Sequence, residues 1–195
     1  MTTPLARAKS ILREQMRARW KTIAAAEHVL GPAPLRAPSA RARFFAEAQT
    51  VLLFAPLPDE PDITALLDEI WASGRTLALP RFEAASGSYA PCRVTGRAKL
   101  VAGRFGVLEP GPACPLIPLN QLDFAFVPGV AFDLEGRRLG RGKGFYDRLL
   151  AGIRGHKCGV ALEAQIVTEV PEEPHDVRVD SILTPTRWHW CRRAA

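Results

Sequence analysis

Residues 123–150 read DFAFVPGVAFDLEGRRLGRGKGFYDRLL, a stretch that opens as a strand and closes as a helix. The apolar run at residues 123–127 is short and bounded by turn residues, which is typical of a buried strand. Pro128 and Gly129 then turn the chain. Residues 145–153 are predicted to form a helix. A buried strand that leads through a loop into a helix is the building unit of α/β proteins.

Short apolar runs recur on both sides of this stretch and predict further strands. They lie at residues 51–55, 76–79, 156–162 and 179–183. We expect Pro80 to stop the second of these strands, because proline cannot donate a ladder hydrogen bond. Residues 83–99 are polar and irregular, with room for one or two exposed strands.

Helical patterns alternate with these runs. Thr3 can cap a first helix and Pro4 suits its first position. Residues 39–49, capped by Ser39, and residues 63–73, which stop at Gly74, predict two more. The alternation predicts an α/β fold, a three-layer sandwich with a largely parallel sheet, in a single domain spanning residues 1–195.

Composition narrows the class of protein without choosing a function. Apolar residues make up 47% of the 195 residues and charged residues 24%, as in soluble globular proteins. The net charge of +6 favours an anionic partner, which leaves nucleic acid, phosphates and carboxylate-rich small molecules open. The four cysteines show no C-x-x-C spacing, so a zinc or redox motif is not expected. No apolar run approaches the ~20 residues of a membrane span, and without a secretory signal a cytoplasmic location is expected.

The loop at residues 138–144 has the composition of an anion-binding site. Gly140, Gly142 and Gly144 alternate with Arg141 and Lys143. Glycine lets backbone N–H groups approach an anion closely, and arginine can grip phosphate oxygens with a fork of donors. The spacing matches neither the P-loop nor the dinucleotide-binding glycine pattern. The sequence therefore predicts a phosphate site outside both common classes.

Asp147 follows this loop closely. A carboxylate beside a phosphate site is a natural ligand of Mg²⁺, which binds through one or two carboxylates and several waters. A bland basic surface turn is the alternative interpretation of the loop, and the Tyr146–Asp147 pair that follows it makes that alternative weaker.

The run PGVAFDLEGRRLGRGKGFYDRLL, residues 128–150, resembles the signature of the 5-formyltetrahydrofolate cyclo-ligases, also called methenyltetrahydrofolate synthetases. Weaker matches follow the family's order from Lys9 to Thr184. They are Lys9 with Arg13, Asp59-Glu60, residues 79–82 (LPRF), residues 105–110 (FGVLEP), and the tail Gln165, Pro171, His175-Asp176, Asp180 and Thr184. Residues 84–93, the proline-rich residues 31–38 and the segment 188–193 depart from the family pattern.

The resemblance implies an activity and a set of site residues. The activity is ATP-dependent cyclisation of 5-formyltetrahydrofolate to 5,10-methenyltetrahydrofolate through a phosphorylated formyl intermediate, with Mg²⁺ accompanying ATP. The implied ATP-binding residues are Lys9, Arg13, Arg138, Leu139, Gly140, Arg141, Gly142, Lys143, Gly144, Phe145 and Tyr146. Arg141, Lys143 and Tyr146 are the implied catalytic residues, Glu60 and Tyr146 the folate-binding ones, and Asp147 and Asp176 the Mg²⁺ ligands. Whether Tyr146 stacks on the pterin or hydrogen-bonds the formyl group stays open.

Two alternatives remain at this stage. A basic, Arg-Gly-rich chain suits a nucleic-acid-binding module, although no aromatic residues interleave with the basic loop. An ATP- or sugar-phosphate-binding relative without cyclo-ligase activity would keep the loop and lose the folate-facing residues. The family fold is of the sugar-phosphate isomerase and CoA-transferase type, which does not by itself settle function. We expect small-molecule partners, no nucleic acid or membrane partner, and a monomer.

Overall fold

The computed structural model describes residues 3–23, 28–30, 43–104 and 106–192. Its helices are α1 (Pro4–Trp20), α2 (Arg43–Glu47), α3 (Thr64–Ala72) and α4 (Phe145–Ala151). Its strands are β1 (Thr50–Leu52), β2 (Thr76–Glu83), β3 (Ser88–Arg93), β4 (Leu100–Ala102), β5 (Leu108–Pro110), β6 (Phe124–Pro128), β7 (Ala131–Phe132), β8 (Arg138–Leu139), β9 (His156–Val160), β10 (Ser181–Leu183) and β11 (Trp188–Trp190). In these ranges, no helix is both long and apolar enough to cross a bilayer.

Seven strands form the central sheet in the order β11-β10-β9-β6-β1-β2-β3. The five inner strands run parallel, from β10 through β9, β6 and β1 to β2. Antiparallel partners, β11 and β3, close the two edges. The predicted α/β fold with a largely parallel sheet is confirmed.

Side chains of the inner strands alternate between two apolar layers. Val51 and Phe126 pack with Phe45 of α2 and Ile70 of α3 on one face of the sheet. Leu52, Ala125 and Val127 point to the other face, where they meet Leu149 and Leu150 of α4. Because both faces are covered by helices, the strands are apolar along their whole length, as parallel strands usually are. This gives the expected three layers.

The predicted helices lie close to the observed ones. Thr3 caps α1, and its hydroxyl accepts a hydrogen bond from the Ala6 N–H at 3.2 Å. The predicted helix at residues 39–49 survives as α2 in its described part, while its expected cap, Ser39, lies outside the described residues.

The prediction that Pro80 ends the strand at residues 76–79 is wrong, because β2 runs through Pro80 to Glu83. β1 pairs with β2 only as far as Ala78, so the missing N–H of Pro80 costs no bond to that neighbour. On the other side Pro80 lies opposite Pro91 of β3. A proline is tolerated in a strand where no neighbour requires its N–H.

Two edge strands were not predicted with any precision. Residues 83–99, expected to be irregular with one or two exposed strands, contain β3, which pairs with β2 along its whole length. The segment at residues 188–193, which had no assignment, contributes β11 beside β10. Both are held by backbone pairing at the edge of the sheet rather than by an alternating apolar pattern.

The loop after β6 is organised by one buried carboxylate. Asp133 is fully buried and follows the β7 strand. Its Oδ1 accepts from the N–H groups of Glu135 and Arg137, each at 3.0 Å. Its Oδ2 accepts from the Val170 N–H at 2.8 Å and from Arg137 Nη1 at 3.2 Å. One side chain thus joins the β7–β8 turn to the chain segment near Val170.

Replacing Asp133 is expected to destabilise the fold. In Asp133→Ala three N–H groups lose their acceptor, and each such group left buried and unpaired costs about 1–3 kcal/mol. The Arg137 guanidinium keeps its ion pairs with Glu169 and Glu172. Urea denaturation measures this difference in the free energy of unfolding. Asp68→Ala serves as the matched control, because Asp68 forms an exposed pair with Arg97 worth less than about 1 kcal/mol. Equal stability of the two variants would refute the role given to Asp133.

Candidate functional site

The site forms at the edge where the parallel strands end. In open α/β sheets, ligands bind in the crevice outside the carboxyl ends of the strands. β6 ends at Pro128, and the following loop forms the β7–β8 hairpin before the chain enters α4 through the three glycines. Gly142 and Gly144 adopt φ values of +94° and +62°, a conformation that side-chain-bearing residues rarely take.

Arg138 is one of the two buried cations of the site, the other being Lys9. Only 6% of Arg138 is exposed. Its Nη2 donates to Asp147 Oδ1 at 2.6 Å, and its Nη1 donates to the Pro128 carbonyl at 3.4 Å. Its guanidinium lies 5.9 Å from the centre of the Tyr146 ring. Arg138 therefore ties the end of β6 to the first turn of α4.

Helix α1 brings two more cations to the loop. Lys9 donates to Glu173 Oε2 at 2.7 Å and to Asp176 Oδ2 at 2.6 Å. Arg13, one helical turn later, donates through Nε to the Gly140 carbonyl at 2.8 Å. The two side chains lie on one face of α1, as their spacing predicts.

Lys9 and its acidic partners stabilise each other's charge. Burial lowers the pKa of Lys9, but the hydrogen bonds to Asp176 and Glu173 outweigh it and raise that pKa overall. Burial likewise raises the pKa of Asp176, and the bonds from Lys9 and from the Glu173 N–H outweigh it and lower that pKa. Both shifts favour the charged pair.

A cavity of about 200 Å³, here called the glycine-loop cavity, lies between α1, the loop and the segment at residues 173–176. Its lining consists of cations, carboxylates and glycine backbone: Ala6, Lys9, Arg13, Arg138, Leu139, Gly140, Gly142, Gly144, Asp147, Glu173, His175 and Asp176. Backbone amides and cations around a small space are the elements of a phosphate site.

A second cavity of about 200 Å³, here called the aromatic cavity, lies on the other side of the loop. Its walls are mainly apolar and aromatic: Ala55, Leu57, Glu60, Tyr89, Val107, Pro128, Gly129, Arg138, Gly140, Arg141, Lys143, Gly144, Phe145, Tyr146 and Asp147. The rings of Tyr89 and Tyr146 lie 5.9 Å apart. Such a cavity suits a flat organic ring with a few polar groups.

Glu60 supplies one of the two carboxylates of the aromatic cavity, the other being that of Asp147. Glu60 Oε2 accepts from the Leu57 N–H at 3.0 Å and Glu60 Oε1 from Arg141 Nε at 3.2 Å. Burial raises its pKa, while those two hydrogen bonds act in the opposite direction. A carboxyl group with a raised pKa inside a cleft is a recognised mark of a functional position.

Arg141 joins the aromatic cavity to a third space. Its guanidinium forms an ion pair with both carboxylate oxygens of Asp59 in addition to the bond with Glu60. Beyond it lies a groove of about 430 Å³, here called the basic groove. The groove is lined by Arg13, Met16, Arg17, Arg19, Trp20, Lys21, Ile23, Asp59, Val130, Arg141 and Gln165.

The predicted site residues divide between the two small cavities. Lys9, Arg13, Arg138, Leu139 and the three glycines meet at the glycine-loop cavity. Arg141, Lys143, Phe145 and Tyr146, expected to contact ATP, line the aromatic cavity together with Glu60. Of these, the Lys143 ammonium is exposed and finds no partner among the residues that the structure describes.

The predicted metal ligands share one cavity but are engaged by cations. Asp147 is paired with Arg138 and Asp176 with Lys9. Glu173, which sequence reasoning missed, joins Asp176 and His175 in a cluster whose ligand atoms lie within 4.8 Å of one another. Glu173 stood in an acidic stretch beside Glu172, so no pattern distinguished it. Tyr89 was also underrated, because it lies in a segment that departs from the family pattern.

Comparisons with known proteins show which family this chain resembles. The sequence profile of the 5-formyltetrahydrofolate cyclo-ligase family matches residues 6–185. The 5-formyltetrahydrofolate cyclo-ligase of Mycolicibacterium smegmatis is 38% identical over 151 residues, which cover 71% of this chain and 75% of the relative. The Escherichia coli K12 enzyme of the same name is 34% identical over 149 residues, which cover 73% of this chain and 82% of the relative.

Two solved structures share the fold of this chain. The NMR structure of Aquifex aeolicus 5,10-methenyltetrahydrofolate synthetase superimposes with a TM-score of 0.80 at 32% identity, covering 96% of this chain and 94% of that one. The 5,10-methenyltetrahydrofolate synthetase of Mycoplasma pneumoniae aligns with a TM-score of 0.66 at 20% identity, covering 89% and 96% of the two chains, and this likeness supports the fold alone.

The two tyrosines of the chain report directly on the aromatic cavity. Burial, with the nearby Glu109 and Glu60 carboxylates, raises the pKa of Tyr89 to about 12, and burial raises that of Tyr146 well above its ordinary value. The folded protein should therefore form no tyrosinate at about pH 10, where the unfolded chain loses both protons. Since the unfolded state binds fewer protons there, the free energy of unfolding should fall as the pH rises above about 10.

Ultraviolet titration of tyrosinate in the folded protein, with urea-unfolded protein as the control, tests this expectation. Ionisation of either tyrosine near pH 10 in the folded protein would contradict the packing described for the aromatic cavity.

Proposed function

This chain belongs to the 5-formyltetrahydrofolate cyclo-ligase family, and we propose that it converts 5-formyltetrahydrofolate and ATP into 5,10-methenyltetrahydrofolate, ADP and phosphate. One observation carries the proposal for this chain. A cation-lined cavity suited to a triphosphate and an aromatic cavity suited to a pterin meet at the same loop, and Arg138, Gly140, Gly144 and Asp147 line both.

The reaction needs ATP because of the chemistry of the formyl group. A formamide carbon is a poor electrophile, and its oxygen is a poor leaving group. In the proposed first step the formyl oxygen attacks the γ-phosphorus, and the bond from that phosphorus to ADP breaks. In the second step N10 attacks the formyl carbon, the bond to the phosphorylated oxygen breaks, and N10 gives up its proton. Phosphate leaves and the methenyl bridge remains.

The glycine-loop cavity is the proposed triphosphate site. Phosphoryl transfer depends mainly on positioning and charge neutralisation, with little covalent chemistry from the protein. Lys9 and Arg13 from α1 and Arg138 from the loop supply positive charge on opposite sides of this cavity. The Gly142 and Gly144 backbone, in its positive-φ conformation, can turn N–H groups toward phosphate oxygens.

The carboxylates of this cavity are chemically suited to Mg²⁺. Asp147 and Asp176 both line it, and Mg²⁺ favours a small number of carboxylate oxygens together with phosphate oxygens and water. We propose that these two residues hold the ion, which neutralises phosphate charge when bound. Asp147 accepts from Arg138 and Asp176 from Lys9 through one carboxylate oxygen each, which would leave the other oxygen of each residue for the ion.

The aromatic cavity is the proposed folate site. Glu60 faces it, and its carboxylate can accept hydrogen bonds from the N–H groups of a pterin. Tyr89, Phe145 and Tyr146 supply aromatic surface for the ring. Tyr146, next to Arg138, keeps its phenol protonated, so it can donate a hydrogen bond toward the formyl region. Arg141 and Lys143 lie at the edge of this cavity, where we place the transferred phosphoryl group.

The function is tested by following methenyltetrahydrofolate absorbance after mixing the protein with 5-formyltetrahydrofolate and Mg-ATP. We expect a signal that requires all three components, with ADP released in step. A folded protein that binds ATP and gives no signal would refute the proposal and favour a diverged nucleotide-binding relative. Binding of RNA or DNA with a steep salt dependence and no turnover would favour the nucleic-acid alternative.

Arg141→Ala should reduce kcat by about 100- to 1,000-fold, the usual loss when one donor to a transition-state anion is removed. Steady-state kinetics measures the loss, and a thermal melt verifies folding. Arg154→Ala is the matched control. Arg154 is an exposed arginine just before β9, at the amino ends of the parallel strands and so away from the site. Unchanged turnover in folded Arg141→Ala protein would remove Arg141 from the catalytic set.

A further inference from the structure

Asp59 contacts the proposed catalytic arginine without facing the proposed folate cavity. Its carboxylate lies on the basic-groove side of Arg141, whereas Glu60 lies on the aromatic-cavity side. A pterin ring in the aromatic cavity would therefore not contact Asp59. Any effect that Asp59 has on the reaction passes through the guanidinium that it binds.

Arg141 needs an external restraint. It lies between two glycines, Gly140 and Gly142, and the second of them has a φ of +94°. Its side chain is 41% exposed. A long side chain on a glycine-rich loop can adopt many conformations, and phosphoryl transfer requires one of them.

Asp59 restrains the guanidinium in two ways at once. Arg141 Nη1 donates to Asp59 Oδ2 at 3.0 Å, and Nη2 donates to the other carboxylate oxygen. Two parallel bonds of this kind fix the plane of the guanidinium as well as its position. The single bond from Nε to Glu60, at 3.2 Å, would by itself leave the group able to pivot.

The donor count leaves Arg141 able to bind an anion while it is held. A guanidinium has five N–H groups, and these three bonds use three of them. None of the residues that the structure describes accepts from the other two. A phosphoryl oxygen can therefore bind Arg141 without displacing either carboxylate.

We propose that Asp59 is a positioning residue, which holds Arg141 at the boundary between the aromatic cavity and the basic groove and leaves an N–H group of its guanidinium open to the transferred phosphoryl group. This rests on the proposed function. It also gives Asp59 a task distinct from that of Glu60. When pterin N–H groups bind Glu60, Asp59 keeps Arg141 in place.

The main test is Asp59→Asn, which keeps the size of the side chain and loses its second acceptor and its charge. We expect kcat to fall by about 10- to 100-fold, since misplacing a catalytic group by about 1 Å has effects of this size. The KM for 5-formyltetrahydrofolate should change by less than about twofold, because the ground-state contacts of the folate remain. The thermal melt should not move, because both partners are exposed.

Further variants separate positioning from a direct or structural role. Asp59→Glu, which keeps a carboxylate, should recover part of the lost kcat. In an Arg141→Ala background, Asp59→Asn should have no further effect on kcat. Asp68→Asn is the control, an exposed carboxylate paired with Arg97, and it should keep wild-type kinetics. A wild-type kcat in Asp59→Asn, or an equal fall in the Arg141→Ala background, would overturn the proposal.

The NMR signal of the Arg141 Nη–H groups, which donate to Asp59, gives a readout that does not depend on turnover. Its assignment comes from its loss in Arg141→Lys. In wild-type protein the signal should show slow solvent exchange, and in Asp59→Asn it should broaden or vanish. If the wild type lacks cyclo-ligase activity but the Arg141 signal still broadens in Asp59→Asn, the proposed function is refuted, while the positioning of Arg141 by Asp59 is supported. If the Arg141 signal is the same in Asp59→Asn as in the wild type, the positioning role of Asp59 is refuted, whatever activity the wild type has.

Discussion

The buried carboxylate of Asp133 is the constraint on which the site depends. It joins the β7–β8 turn to the N–H of Val170, and so fixes two chain segments that are far apart in sequence. Arg138 lies a few residues after that turn, and Asp176 a few residues after Val170. The two walls of the glycine-loop cavity are therefore held at their distance by a group that never touches it. A charge buried with this many donors is stable where it is and costly to disturb.

Three cations of the site are paired with carboxylates before any ligand is bound. Lys9 is paired with Asp176 and Glu173, Arg138 with Asp147, and Arg141 with Asp59. Pairing solves a problem of the folded protein, since like charges gathered around a small cavity would repel one another. It also means that the proposed ligand Mg-ATP, which brings both anionic oxygens and a cation, can exchange partners with the pairs of Lys9 and Arg138. The exchange keeps the charge of the cavity balanced.

Much of this could be predicted from sequence, for physical reasons that apply to some residues and not others. The buried strands could be predicted from apolar runs in the sequence, because helices cover both faces of the sheet. The glycines and cations of residues 140–144 indicated an anion site because few other structures need that composition. By contrast, β3 and β11 are edge strands held by backbone pairing, which leaves little trace in side-chain pattern. The pairing of Arg141 with Asp59 joins residues 82 apart in the chain, and only the fold brings them together.

The contacts of α1 also bear on how the protein is made. Lys9 meets Asp176 across 167 positions of sequence, and Arg13 meets the Gly140 carbonyl across 127. A chain grows from its N-terminus, so α1 emerges from the ribosome long before either partner exists. The nascent helix carries its basic face without a docking surface while most of the sheet is still being synthesised. The glycine-loop cavity can therefore be completed only when residue 176 has emerged, and the unfinished protein lacks part of the lining of this cavity.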